Sequence, residues 1–239
     1  MARGAFARRG RREVDLSGGR LSEIVRRGFM ARLAPDLAEE LLVSARSASY
    51  PTGTIIASSL EQPGPAILMS GFLRYFLSVL DGRQLTIRYL TPGDLVGTTL
   101  MQQANVTAHI EMLEPSVLLH LDAERFAALA ARRPELNTAL VDELITRLRL
   151  AYRALAAHAF LSVRTRVAID LIERANICGP MSEGLRIDVT QQSLADATGS
   201  VREVVSRALG QLRRQGVVAR NGDGVTVLDP EGLRRAAGL

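Results

Sequence analysis

The chain has 239 residues, 47% of them apolar, with 30 basic against 25 acidic side chains and a net charge of +5. No apolar run approaches the ~20 residues that span a bilayer, and no apolar stretch follows the N-terminal arginines as a secretory leader requires. Cys178 is the only cysteine, which excludes an intrachain disulfide framework and any cysteine-only metal or iron–sulfur site within one chain, so a reducing cytoplasm is the expected location.

Every basic residue is an arginine, the side chain better suited than lysine to bidentate phosphate and guanine contacts. Residues 1–20 hold six arginines against Glu13 and Asp15, a net +4, while residues 21–160 come to −1 and residues 161–239 to +2. A near-neutral middle between basic ends fits a molecule whose ends alone approach a polyanion. Residues 1–20 lack periodicity and read as a disordered basic tail. Such a tail adds nonspecific phosphate contacts, or is a plain solvated terminus, or reflects a start codon set too far upstream.

Residues 21–46 carry Leu21, Ile24, Val25, Phe29, Leu33, Leu37, Leu41 and Leu42 at helical spacing, with Pro35 opening a second short helix and Asp36, Glu39 and Glu40 near its positive end. From Tyr50 to about Leu121 short strands follow, divided at Pro51-Thr52-Gly53, Gln62-Pro63-Gly64, Asp81-Gly82-Arg83 and Thr91-Pro92-Gly93-Asp94. Alternation is clear in Leu85–Leu90, and Asp81-Gly82 reads as a hairpin turn. Regularly spaced short strands predict an antiparallel β-roll or jelly roll.

A short helix is predicted over Asp122–Ala131 and a long one over residues 135–158. In the long helix Val141, Leu144, Leu148, Ala151, Leu155 and His158 make a modest heptad seam. Such a seam pairs with its own copy, or packs an ordinary amphipathic helix on its own domain. Residues 161–185 are expected to continue as a helix (Val163, Val167, Ile169, Leu171, Ile172) that ends near Cys178-Gly179-Pro180.

The segment Asp188–Val218 organises the rest. Leu194 and Ala195 lead to Gly199, after which Val201, Val204, Val205, Ala208, Leu209 and Leu212 recur at helical spacing. This predicts two helices joined by a tight turn. The second keeps a free face bearing Arg202, Glu203, Ser206 and Arg207, residue types that read base edges in a major groove. Thr190 and Ser200 stand where N-caps belong, bringing hydroxyls and helix N-termini beside phosphates. Ser200 and Glu203 also suit a capping box, a role that competes with base reading for Glu203. Val217-Val218 and Val225–Val227 flank Asn221–Gly224 as a hairpin wing, and Arg213, Arg214 and Arg220 are candidate phosphate partners.

This pattern resembles the winged helix-turn-helix of the CRP/FNR family of bacterial transcription regulators. Thr190-Gln191-Gln192 is similar to the signature of the family's first helix, and Gly199-Ser200-Val201-Arg202-Glu203-Val204-Val205-Ser206-Arg207 to that of its recognition helix. Val201 departs from the pattern, since a phosphate-touching serine or threonine is common there. The strand segments Ile67–Arg74 and Leu90–Gly97 are similar to the cyclic-nucleotide-binding-type sensor domain of the same family, so the likeness runs from about residue 21 onward.

After the basic tail (1–20), the resemblance implies an α+β chain: an antiparallel β-roll sensor domain (21–134), a dimerisation helix (135–160) and a winged helix-turn-helix (161–239). It implies a homodimer through Val141, Leu144, Leu148, Ala151 and Leu155, and double-stranded DNA as partner. RNA polymerase would be a further partner if the protein activates. Arg202 and Arg207 would bind guanines and Glu203 would accept from a cytosine amine, within a palindrome of GTGA-like half-sites. Two recognition helices one duplex turn apart are what such a site demands.

For the sensor the resemblance points to an effector pocket at Gly97, Thr98, Thr99, Val106, Thr107 and Tyr152. In nucleotide-binding members a Gly-Glu pair holds the ribose and an Arg-Ser or Arg-Thr pair the cyclic phosphate. The matching pairs here are Gly97-Thr98 and Val106-Thr107. A buried phosphate would lack its counter-charge. The base-contacting positions of the long helix fall on Ala151 and Tyr152, and Tyr152 would crowd the pocket. No tight cyclic-AMP binding is expected, and the effector, if there is one, is unknown.

Haem ligation by His109, His120 or His158 stays open, whereas the N-terminal cysteine cluster of an iron–sulfur sensor is missing. Cys178 has only Arg174 near it in sequence to lower its pKa. A β-roll enzyme or small-molecule binder is the alternative from another class. However, His109 and His120 with scattered acids lack metal-ligand spacing, and no activated nucleophile, Gly-rich phosphate loop or carboxylate pair is present. A ligand-independent regulator is the third reading.

Overall fold

The computed structural model describes residues 12–13, 28–43, 45–57, 64–97, 102–103, 106–222 and 224–239. They fall into two units, one built from the described residues within 1–73, 90–100 and 111–144, the other from those within 74–89, 101–110 and 145–239.

In the first unit the second short helix expected to open at Pro35 forms, but the helical stretch expected over residues 21–46 stops short of its end. Leu21, Ile24 and Val25 lie outside the described residues. A 3-10 turn spans Met30–Arg32. Pro35 then holds Ala34 extended at ψ 146° and opens α1 (Pro35–Leu42). By Arg46 the chain is already a strand. That strand, β2 (Arg46–Tyr50), pairs with β1 (Arg12–Glu13), the described part of the basic N-terminal stretch, and with β10 (Ser116–His120). Adding β4 (Ala66–Ser70) and β7 (Leu95–Val96) gives an antiparallel sheet in the order β1-β2-β10-β4-β7. The turn at Pro51-Thr52-Gly53 precedes β3 (Ile55–Ala57). At Thr91-Pro92-Gly93-Asp94 the Asp94 carboxylate accepts the Thr91 N–H at 2.7 Å. Of the Gln62-Pro63-Gly64 turn, only Gly64 is described.

Phe29, Met30, Leu37, Leu41, Ile67, Leu95, Leu119 and Leu136 form the core of this unit. Asp122 caps α2 (Ala123–Arg132) by accepting the Arg125 N–H. Arg133 stays extended before Pro134, which separates α2 from the 27-residue α3 (Pro134–Phe160). Its guanidinium meets Asp36 at 2.8 Å and Glu40 at 3.1 Å, tying the start of α3 to α1.

The second unit begins with the hairpin of β5 (Leu73–Val79) and β6 (Gln84–Leu90), closed by Asp81, whose carboxylate accepts the Arg83 N–H at 3.0 Å. β5 lies between β6 and β9 (Val106–Met112), and β8 (Gln102–Gln103) pairs with β9. The alternation in Leu85–Leu90 predicts one open face, yet every residue from Gln84 to Tyr89 is half-buried. Both faces of the hairpin are partly covered, Tyr89 on one of them reaching the buried carboxylate of Asp170.

After α3, Ser162 caps α4 (Val163–Cys178), which Gly179 and Pro180 end as expected. Residues 179–185 are therefore not helical, and a strand not anticipated, β11 (Arg186–Asp188), follows. α5 (Gln191–Thr198) and α6 (Arg202–Arg214) form the two-helix motif. β12 (Val218–Asn221) and β13 (Gly224–Val227) make the hairpin wing in a sheet of order β11-β13-β12. A last helix, α7 (Pro230–Ala237), starts on an Asp229 cap and a proline. Val167, Leu171, Leu194, Val205, Leu209, Leu212, Val227 and Leu233 share one core. No described helix is long and apolar enough to cross a membrane.

Candidate nucleic-acid interface

The α5–α6 turn explains where α6 begins. Gly199 sits at φ 57° and ψ 38°, a left-handed conformation that a side chain disfavours. The N–H groups of Gly199 and Ser200 both donate to the Ala195 carbonyl, a Schellman-type closure of α5. Ser200 is thereby spent on ending α5 and is not the N-cap predicted for α6. Val201 takes that position instead, extended and without a side-chain capping bond, so the Ser200–Glu203 capping box does not form. Thr190 does cap α5 as expected, its Oγ1 accepting the Ser193 N–H at 3.0 Å.

Burying Val205, Ala208, Leu209 and Leu212 leaves Val201, Arg202, Glu203, Ser206 and Arg207 exposed. Thr190, Gln191, Gln192, Arg202 and Ser206 line one groove of about 410 Å³, together with Arg213 of α6 and Arg220 and Gly222 of the wing. Glu203 and Arg207 stand exposed on α6 but are not among its lining residues. Arg213, Arg214 and Arg220 edge a second hollow beside Leu228. The hairpin turn lies at Gly222, whose carbonyl accepts from Arg220 Nε at 3.3 Å. A concave surface carrying amides, hydroxyls and guanidinium groups has the donors that phosphates require, and Glu203, exposed on the same helix, is an acceptor of the kind that a cytosine amine requires.

Residues 157–236 match the Crp-like helix-turn-helix domain family, and residues 47–133 the cyclic nucleotide-binding domain family. The transcriptional regulator LdrP of Thermus thermophilus is 32% identical over 183 residues, 72% of this chain and 86% of that protein. The chain belongs to the CRP/FNR family of transcription regulators. Like other members it is a DNA-binding regulator and not an enzyme. A CRP-like cAMP-activated global transcriptional regulator of Mycobacterium tuberculosis is 28% identical over 220 residues, 90% of this chain and 98% of that one. Among solved structures, a CRP/FNR-family regulator from Thermus thermophilus superposes with a TM-score of 0.66 at 26% identity, covering 81% of this chain and 98% of that one.

The CRP/FNR sensor positions are partly visible. Gly97 follows β7 and is half-buried, while Val106 and Thr107 open β9, paired with Gln103 and Gln102. Thr98 and Thr99 lie outside the described residues. Tyr152 is exposed on α3. Of the three candidate haem ligands, His109 Nε2 lies 2.7 Å from Ser78 Oγ with its ring stacked on Phe76. His120 Nε2 lies 2.9 Å from the Tyr50 hydroxyl. His158 packs against the Gly199 turn. Cys178 is exposed. Sequence reasoning passed over the buried pair Asp170 and Arg174. Its signal was present: opposite charges one turn apart on a helix face whose neighbours, Val167 and Leu171, are apolar.

Proposed function

We propose that two copies of this chain pair through α3 and read a palindromic DNA site with GTGA-like half-sites, and that the sensor works without cyclic AMP. The observation that carries the first part is the groove that gathers Thr190, Gln191, Gln192, Arg202 and Ser206 with two further arginines. Within it Arg202, and beside it Arg207, donate to guanine, Glu203 accepts from a cytosine amine, and Arg213 and Arg220 hold phosphates. Pairing through α3 is supported by the apolar seam Val141, Leu144, Leu148 and Leu155, which is 50–64% exposed on the single chain.

The Mycobacterium tuberculosis relative is cAMP-activated. Here threonine and valine stand at 98 and 106, where a carboxylate and a guanidinium would meet ribose and phosphate. The effector, if one exists, differs from cyclic AMP for want of that counter-charge.

The test is selection of bound sequences from a random DNA pool, with and without cyclic AMP. A palindromic GTGA-like motif, enriched equally in both arms, is the expected outcome. Arg202→Ala and Arg207→Ala should each cost about 1–3 kcal/mol on the recovered site and relax preference there. Parent-like binding by both variants on specific and random duplexes would remove the assignment of α6, and enrichment only with cyclic AMP would remove that of the sensor.

A further inference from the structure

Asp170 and Arg174 lie one turn apart on α4 and are 6% and 5% exposed. Burying two charges is costly unless both are fully hydrogen-bonded, and here the bonds come from three elements. Arg174 Nε donates to Asp170 Oδ2 at 2.8 Å. The other carboxylate oxygen accepts the hydroxyl of Tyr89 on β6. Arg174 Nη2 donates to Ser193 Oγ on α5 at 3.3 Å, and its guanidinium carbon lies 5.0 Å from the Tyr89 ring centroid. Burial, and then the Asp170 charge, hold the Tyr89 hydroxyl well above its ordinary pKa, so it keeps the proton it donates.

The far end of this relay is the DNA-facing turn. Ser193 belongs to the first turn of α5, where its N–H is held by Thr190, and Thr190, Gln191 and Gln192 line the groove. The near end is the β5–β6 hairpin, within the stretch that matches the cyclic nucleotide-binding family, whereas Asp170, Arg174 and Ser193 belong to the stretch that matches the helix-turn-helix family. All four residues lie in one compact unit.

We propose that Tyr89 is a positioning residue for DNA binding. Through Asp170 and Arg174 it ties the sensor hairpin to the first turn of α5 and sets the pose in which Thr190–Gln192 and α6 meet the duplex. The proposal rests on the reading of the groove as the DNA surface. Removing the hydroxyl leaves one buried carboxylate oxygen without that donor, which loosens Arg174 and with it Ser193. A contact that reaches both modules is also where a change in the sensor is felt at the DNA-binding end.

Tyr89→Phe keeps the ring beside Arg174 and deletes only the hydroxyl. In the full-length protein, with thermal melting as the check on folding, its Kd for the selected duplex should differ from the parent's by about fivefold or more. Asp170→Asn, which also removes the charge beside Arg174, should shift it at least as far, and the double variant no further than Asp170→Asn alone, because the Tyr89 hydroxyl acts through that carboxylate. If Asp170→Asn does not fold, Ser193→Ala takes its place in the cycle. Amide hydrogen exchange over Gln191–Leu194 should quicken in Tyr89→Phe with no DNA present. A Kd within about twofold of the parent's, or additive effects in the double variant, would overturn the tie, as would unchanged exchange in α5. Arg202→Ala, measured alongside, separates the failures: if it also binds as the parent does, the groove assignment has failed.

Discussion

Gly199 shows how much one residue decides at the interface. Its left-handed backbone lets α5 end and α6 begin within three residues, and a methyl group added there would meet His158 Cε1 at 2.6 Å. Two separate penalties therefore await Gly199→Ala, one from φ and one from the ring. Together they should destabilise the fold by about 1–3 kcal/mol in urea titration. Adding His158→Ala should recover the steric part and leave the backbone part. No recovery would mean that the ring is not what the methyl meets. The glycine was legible in the sequence because a turn between two amphipathic segments needs a residue tolerant of positive φ. That Ser200 closes α5 rather than capping α6 was not legible: a serine after such a glycine suits either role, and only the backbone bond to Ala195 separates them.

At the scale of elements, periodicity is a good guide where one face is buried and the other is not. α6 is such a case, as is α7, whose Asp229-Pro230 start is a plain helix signal that the sequence reading left unused. Periodicity misleads where both faces are covered, as in β6, whereas the helix start read at Pro35 is where α1 begins. The seam of α3 is the sharpest remaining case. Leu148 is 51% exposed on the single chain, so Leu148→Glu removes little from the folded protomer. Across a self-paired seam it places two carboxylates against apolar neighbours, where each is costly. Sedimentation should show Leu148→Glu as a monomer at concentrations where the parent is a dimer, with helical circular dichroism unchanged. Affinity for the palindrome should fall because one chain spans one half-site. A variant that sediments as the parent does would mean that α3 is not the seam.

At the scale of the whole molecule, the charge pattern and the order of modules were legible, but the grouping of the β5–β6 hairpin with the C-terminal helices was not. Tyr89 and Asp170 are 81 residues apart, and neither residue type announces a partner at that distance. The histidines carry a related whole-molecule property. Burial, and then Arg74, push His109 below its ordinary pKa of 6.5, and burial, and then Arg166, do the same for His158. A base with a depressed folded-state pKa binds protons more readily in the unfolded chain. The histidines' contribution to stability is therefore full above pH 6.5 and falls as pH drops from 6.5 through the lower folded values. One carboxylate opposes them: burial, and then the Asp170 charge, raise the pKa of Glu173 to about 7, so its contribution grows as pH falls through 7. Asp36 and Asp81 act in a separate, more acidic window. Hydrogen bonds to Arg133 and Arg83 hold Asp36 and Asp81 below 3.8, so their contribution is lost only as pH falls below that value. With Glu173→Gln removing the opposing carboxylate, urea titrations at fixed ionic strength should thus show stability level from pH 8 to about 7 and declining toward pH 5, ahead of the Asp36 and Asp81 loss. His109→Gln with His158→Gln should flatten that decline while leaving the steeper acid limb in place. If the decline survived both substitutions, the protons would be entering elsewhere, and neither His109 nor the ring against the Gly199 turn would be the group that resists them.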